Sequence, residues 1–234
     1  MKSLETHDKS RMMLQGVFQK FDIRMQPIAS QFPEGVIALD PTIQLQLEIL
    51  GGFIVLLWVL ETVDQLLLRN RLNALGIRPC TQIGLRGILF APLLHGSWAH
   101  LAANTVPFLV LGWLVLLNGF NQFAIVTAVV WIVSGLGVWL FASRNSLHIG
   151  ASGVVFGYLG FLLARGYFRQ DFGSIAIAVV VLALYGPLIW GILPFRRGIS
   201  WQGHLFGMVG GVLAARYMPQ LQQGFATIER MLQR

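Results

Sequence analysis

The chain has 234 residues, of which 55% are hydrophobic and only 12% charged, against roughly a quarter charged in a soluble domain. So much apolar surface with so little charge to cover it excludes a soluble globule and a disordered chain, and the lone Cys80 excludes an intrachain disulfide scaffold. The 17 Lys and Arg against 10 Asp and Glu are scattered singly between apolar runs, which points to an anionic lipid bilayer as the partner and not to nucleic acid.

Residues 1–42 form a polar, mildly amphipathic extension without the charged-apolar-cleavage layout of a signal peptide. The first crossing is centred on the apolar run Ile49 to Leu60, with Glu61 and Asp64 expected as a solvated outer helix end, because a carboxylate at mid-bilayer costs about 2.5–3.5 kcal/mol. No charged residue occurs from Gly87 to Ser143, a stretch of 57 residues. That is enough for two crossings of about 20 residues each, and Asn118-Gly-Phe-Asn-Gln122 divides them as a turn. Asn145 to Ala164, Phe172 to Phe195 and Gly198 to Ala215 supply three more uncharged stretches. The expectation is an all-α, polytopic membrane protein: a six-helix bundle over residues 43–218 and a short C-terminal tail over 219–234. Six crossings put both termini on one side. Ten Lys and Arg on that side against seven on the other favour cytoplasmic termini in a plasma membrane by the positive-inside rule.

With six crossings, the second, fourth and sixth helices all enter the membrane from the same face. Each opens with polar residues: His95, Ser97, His100 and Asn104 in the second, His148 and Ser152 in the fourth, His204 in the sixth. Four of the five histidines belong to these patches. Polar groups in lipid are costly and usually functional, so three segments delivering them to one depth suggests a site. Ser97 reads as the N-cap of the second helix, which places His100 and Asn104 at i and i+4 on one face. Ser152 opens the fourth helix, where free backbone N–H groups and the positive end of the helix dipole suit a developing oxyanion. A serine hydroxyl needs a base to accept its proton, and His204 is the available one. His100 and Asn104 can then donate to the tetrahedral intermediate. No carboxylate is placed to orient His204, so the pair is a dyad. Gly203, Gly207 and Gly211, with Gly153 and Gly157, have the small-xxx-small spacing that lets helix backbones approach.

Taken together, His95 with His100 and Asn104, Gly150-Ala-Ser152-Gly153, and His204 with Gly207 and Gly211 resemble the rhomboid family of intramembrane serine proteases. The resemblance covers Ile49 to Tyr217. It implies Ser152 as nucleophile, His204 as general base, His100 and Asn104 as oxyanion-hole donors, and His95, Gly150, Gly153, Phe156 and Gly207 as supports of the site. It also implies cleavage of transmembrane segments of other proteins, with neither cofactor nor metal. The chain departs from the family pattern in a short first external loop, Arg69 to Arg86, that lacks Trp. It also carries Phe156 where Tyr is frequent, which can stack on the histidine but not hydrogen-bond. The segment Pro194 to Ile199 is expected to act as a movable lid. Two other readings fit the same residues: a proteolytically inactive rhomboid-like binding protein, and a small transporter with polar helix starts.

Overall fold

The computed structural model describes residues 40–195 and 198–232. Most of the expected N-terminal extension, and Arg196 and Arg197 of the expected lid, lie outside the described residues. Among the described residues seven helices of 14 residues or more follow one another: α1 (Pro41–Leu66), α2 (Trp98–Leu116), α3 (Phe120–Phe141), α4 (Ser152–Arg169), α5 (Phe172–Tyr185), α6 (Trp201–Arg216) and α7 (Met218–Leu232). A 3-10 helix, Gly186–Ile192, continues α5. Among the described residues the one strand-like pairing is an isolated bridge between Ile77 and His148.

Four of these helices are long and apolar enough to span a bilayer: α1, α2, α3, and α5 with its 3-10 continuation. The other two of the six expected crossings, α4 and α6, have 18 and 16 residues. Helix α4 sits inside the bundle, whereas α6 packs against α3 and α4 and leaves Val209, Val212 and Leu213 exposed. Helix α4 is packed against α2, α3, α5 and α6 and buries Tyr158, Leu159, Phe161 and Leu162 completely or nearly so. Tyr158 satisfies its hydroxyl with Thr127 Oγ1 at 2.8 Å, as a phenol buried in an apolar core requires. Enclosed by other helices, α4 needs no lipid-facing apolarity and can be rich in glycine, while α6 turns Gly207 and Gly211 toward it. A Cβ on Gly207 would overlap the Gly153 carbonyl oxygen, and one on Gly211 that of Gly157. The two backbones therefore touch, and the glycine spacing marks where α4 and α6 meet. Ser134 of α3 joins them, donating to the Gly203 carbonyl at 2.9 Å.

Helix α1 lies against α2 through Phe53 stacked on Phe108, with ring centroids 4.9 Å apart, and through Trp58 Nε1 donating to Thr105 Oγ1 at 3.2 Å. The expectation of a solvated outer end is overturned: Glu61 and Asp64 are each only 2% exposed. The chain reverses through Arg69 and Asn70, both at positive φ, and folds back over the helix end. Asp64 Oδ1 then accepts the Leu72 N–H at 2.8 Å, and Glu61 accepts the Gln65 side-chain amide. The returning loop thus partners Asp64, and a neighbour on the same helix partners Glu61. The turn between α2 and α3 is tighter than the sequence suggested, closing at Gly119 with φ +95°, where a side chain would be strained.

Candidate active site

Helix starts position the polar residues. Ser97 adopts extended backbone and its hydroxyl accepts the His100 N–H at 3.1 Å, which fixes the first turn of α2 and so the depth of His100 and Asn104. Pro107 lies inside the same helix. Its missing N–H leaves the Ala103 carbonyl without its usual partner, and Ala103 lines the cavity described below.

The segment entering α4 is pinned by two hydrogen bonds. Gly150 N donates to the Ala91 carbonyl at 2.8 Å, and Ala151 N donates to His95 Nε2 at 3.4 Å. His95 is 1% exposed, so it supports the loop from behind. Gly150 has φ +117°, and a Cβ there would stand 2.6 Å from His100 Cε1 and 3.8 Å from Asn104 Nδ2. The absent side chain lets the backbone just before Ser152 come down onto His100. Ser152 is the first residue of α4, so its N–H has no acceptor within the helix.

His204 lies in the first turn of α6 and is mostly buried. Its ring stacks on Phe156, one turn along α4 from Ser152, at 3.9 Å between centroids and 4° between planes. Its Nδ1 is 2.9 Å from the Gly191 carbonyl oxygen. A carbonyl can only accept, so Nδ1 carries the hydrogen and a neutral ring has its lone pair on Nε2. Among the described residues Ser152 Oγ makes no hydrogen bond to that nitrogen.

His100, Asn104, Ser152, Phe156 and His204 line one cavity of about 890 Å³, which also reaches Trp190 and Ile199. Of the residues selected from sequence, these five are brought together, with Ser97 and His148 at the same cavity. Gly150, Gly153 and Gly207 lie in the packing behind them and His95 under the loop. Asn104 Nδ2 is buried and has no hydrogen-bond partner among the described residues.

Two features were not anticipated. One is the Gly191 carbonyl. The other is a clasp in which His148 Nε2 meets Ser146 Oγ and Nδ1 meets Ser200 Oγ, both at 2.7 Å, tying the loop between α3 and α4 to the residue before α6. Burial pushes the His148 imidazole below its ordinary value. A neutral ring has one N–H, so one serine donates to it and the other accepts.

A family model described as the Rhomboid domain matches residues 84–220, more than half of the chain. An uncharacterized protein of Mycobacterium tuberculosis is 48% identical over 171 residues, covering 70% of this chain and 71% of its own. A putative rhomboid protease of Bacillus subtilis is 30% identical over 127 residues, 52% of this chain and 61% of its own. A rhomboid-type serine protease of Yarrowia lipolytica is 28% identical over 145 residues, 58% of this chain and 48% of its own. The matched span runs from the short helices before α2 into the start of α7 and contains the whole cavity, and on this evidence the chain belongs to the rhomboid family.

Proposed function

We propose that the chain is an intramembrane serine endopeptidase that cleaves transmembrane segments of other membrane proteins with a Ser152–His204 dyad. The observation that carries this reading is the convergence of Ser152, His204, His100 and Asn104, from three helix starts, on one cavity. In the proposed reaction Ser152 Oγ attacks the scissile carbonyl carbon while His204 Nε2 takes the hydroxyl proton. The negative charge moves to the carbonyl oxygen, where the Ser152 N–H, His100 and Asn104 donate to it. The C–N bond breaks as His204 returns the proton to the leaving amine. Water then attacks the acyl-enzyme with His204 as base again, releasing the acid and restoring the serine.

The protease domain in this proposal spans 43–218, flanked by the extension 1–42 and the segment 219–234, and the protein sits in the plasma membrane with both termini cytoplasmic. A proteolytically inactive rhomboid-like binding protein is the second reading, favoured by a Ser152 hydroxyl that, among the described residues, makes no hydrogen bond to His204. Catalytic hydrogen bonds are often long in unliganded sites and tighten with substrate, which is why we prefer the first. Co-expression with a panel of tagged single-pass membrane proteins, together with labelling by a serine-reactive fluorophosphonate, separates the two. The protease reading expects Ser152-dependent labelling and cleavage that falls on the order of 10⁴-fold or more in Ser152→Ala and in His204→Ala. Cleavage surviving in both variants overturns it.

A further inference from the structure

We propose that the Gly191 backbone carbonyl, kept free by Pro194, is the positioning group for His204, filling the place a carboxylate takes in a triad; this rests on the reading of His204 as general base. Gly191 lies near the end of the 3-10 helix Gly186–Ile192. In such a helix each carbonyl accepts the N–H three residues on, and the Trp190 carbonyl does so, taking the Leu193 N–H at 3.3 Å. The next carbonyl, that of Gly191, would need the N–H of residue 194. That residue is Pro194, which has none. The Gly191 oxygen is therefore left over by the local sequence, and His204 Nδ1 occupies it at 2.9 Å.

Glycine at 191 is the second requirement. A Cβ there would lie 2.8 Å from Phe156 Cζ and 3.2 Å from His204 Nδ1, so any side chain would press on both rings. The imidazole is thus held by an in-plane bond at Nδ1 and by the Phe156 stack on its face. Together these fix its spin and its tilt, and they leave Nε2 as the atom with the lone pair. A neutral acceptor does this without burying a second charge inside the bundle, which would carry a desolvation cost of its own.

The test uses the full chain in detergent micelles with ¹⁵N-labelled histidine, the His204 signals assigned by their loss in His204→Ala. At a pH where the ring is neutral, the proposal expects the Nδ1–H tautomer in the wild type. Gly191→Ala should raise the share of Nε2–H and slow fluorophosphonate labelling of Ser152 roughly tenfold, the scale of one hydrogen bond. Pro194→Ala restores a competing N–H and should shift tautomer and rate in the same direction. Gly186→Ala, in the same 3-10 helix but meeting only Leu182 at 3.4 Å or more, should change neither. An Nε2–H tautomer in the wild type overturns the proposal even if Gly191→Ala fails to fold. So does an unchanged tautomer and rate in both Gly191→Ala and Pro194→Ala. An Nδ1–H tautomer in a protein whose Ser152 never labels supports the carbonyl's hold on His204 while removing the reading of that histidine as a base.

Discussion

Asn104 stands one helical turn below His100 on α2, its amide nitrogen buried and without a partner among the described residues. A buried donor without an acceptor costs about 1–3 kcal/mol, a cost an oxyanion at the cavity floor would offset only during reaction. Asn104→Ala should therefore lower kcat roughly 10²-fold with KM nearly unchanged, and leave thermal stability equal or slightly higher. Peptidase kinetics and thermal unfolding in detergent check both, and a rise in KM alone would assign Asn104 to substrate binding instead. Gly207 makes the opposite case, since its importance is in packing. A Cβ at 207 meets the Gly153 backbone rather than a movable side chain, so α4 and α6 must separate. Gly207→Ala should cost about 1–3 kcal/mol, the range for overpacking a tight interface, and lower the unfolding temperature. An unchanged unfolding temperature would mean that the two helices can slide apart freely.

Helix starts were the part of the fold most open to reading in the sequence, because a cap is local chemistry. Ser97 could be identified from its hydroxyl and the polar-to-apolar switch after it, and it is a cap in the structure. Asp171 caps α5 in the same way, with Ser174 N 2.9 Å from Oδ1 and Ser174 Oγ 2.8 Å from Oδ2. These two bonds, the backbone one first, hold its carboxyl below the usual carboxylate range, with a smaller push from Arg169. A carboxylate with a lowered folded-state pKa contributes stability in full above its unfolded value near 4. The contribution is lost as pH falls through the folded value. Asp171→Ala should thus unfold at a lower temperature than the wild type at pH 7, and the gap should shrink as the pH falls below the ordinary carboxylate range, about 4. A gap that persists in acid would show that the charge is irrelevant to the cap. What local reading could not reach were contacts made by distant segments. Nothing near Asp64 in the sequence announces that residues 70–72 fold back onto it. Nor does the Gly191-to-Pro194 stretch reveal that its spare carbonyl meets a histidine 13 residues on.

At the scale of the whole molecule, apolar windows recognise α1, α2, α3 and α5, whose outer faces carry exposed residues such as Val55, Val106, Ile132 and Val179. The uncharged stretches over α4 and α6 are weaker signals, since α4 has 18 residues that include Arg165 and Arg169 and α6 has only 16, yet the candidate site lies on these two helices together with α2. The membrane class was thus plain from composition, while the number of crossings depends on what encloses each helix. Six crossings make a topological prediction that the single cysteine can report. Cys80 is exposed in the connection between α1 and α2, which six crossings and the excess of ten Lys and Arg against seven put outside, with both termini inside. In spheroplasts of an expressing bacterium, a membrane-impermeant maleimide should label the wild-type protein from outside. In a Cys80→Ser background, single cysteines at Ser3 and at Gln233 should react only after permeabilisation. Labelling of Cys80 only after permeabilisation, with the termini reactive in intact cells, would invert the orientation. Reaction of the two termini from opposite faces would make the number of crossings odd, and the helix starts bearing His100, Ser152 and His204 would then no longer all enter from one side.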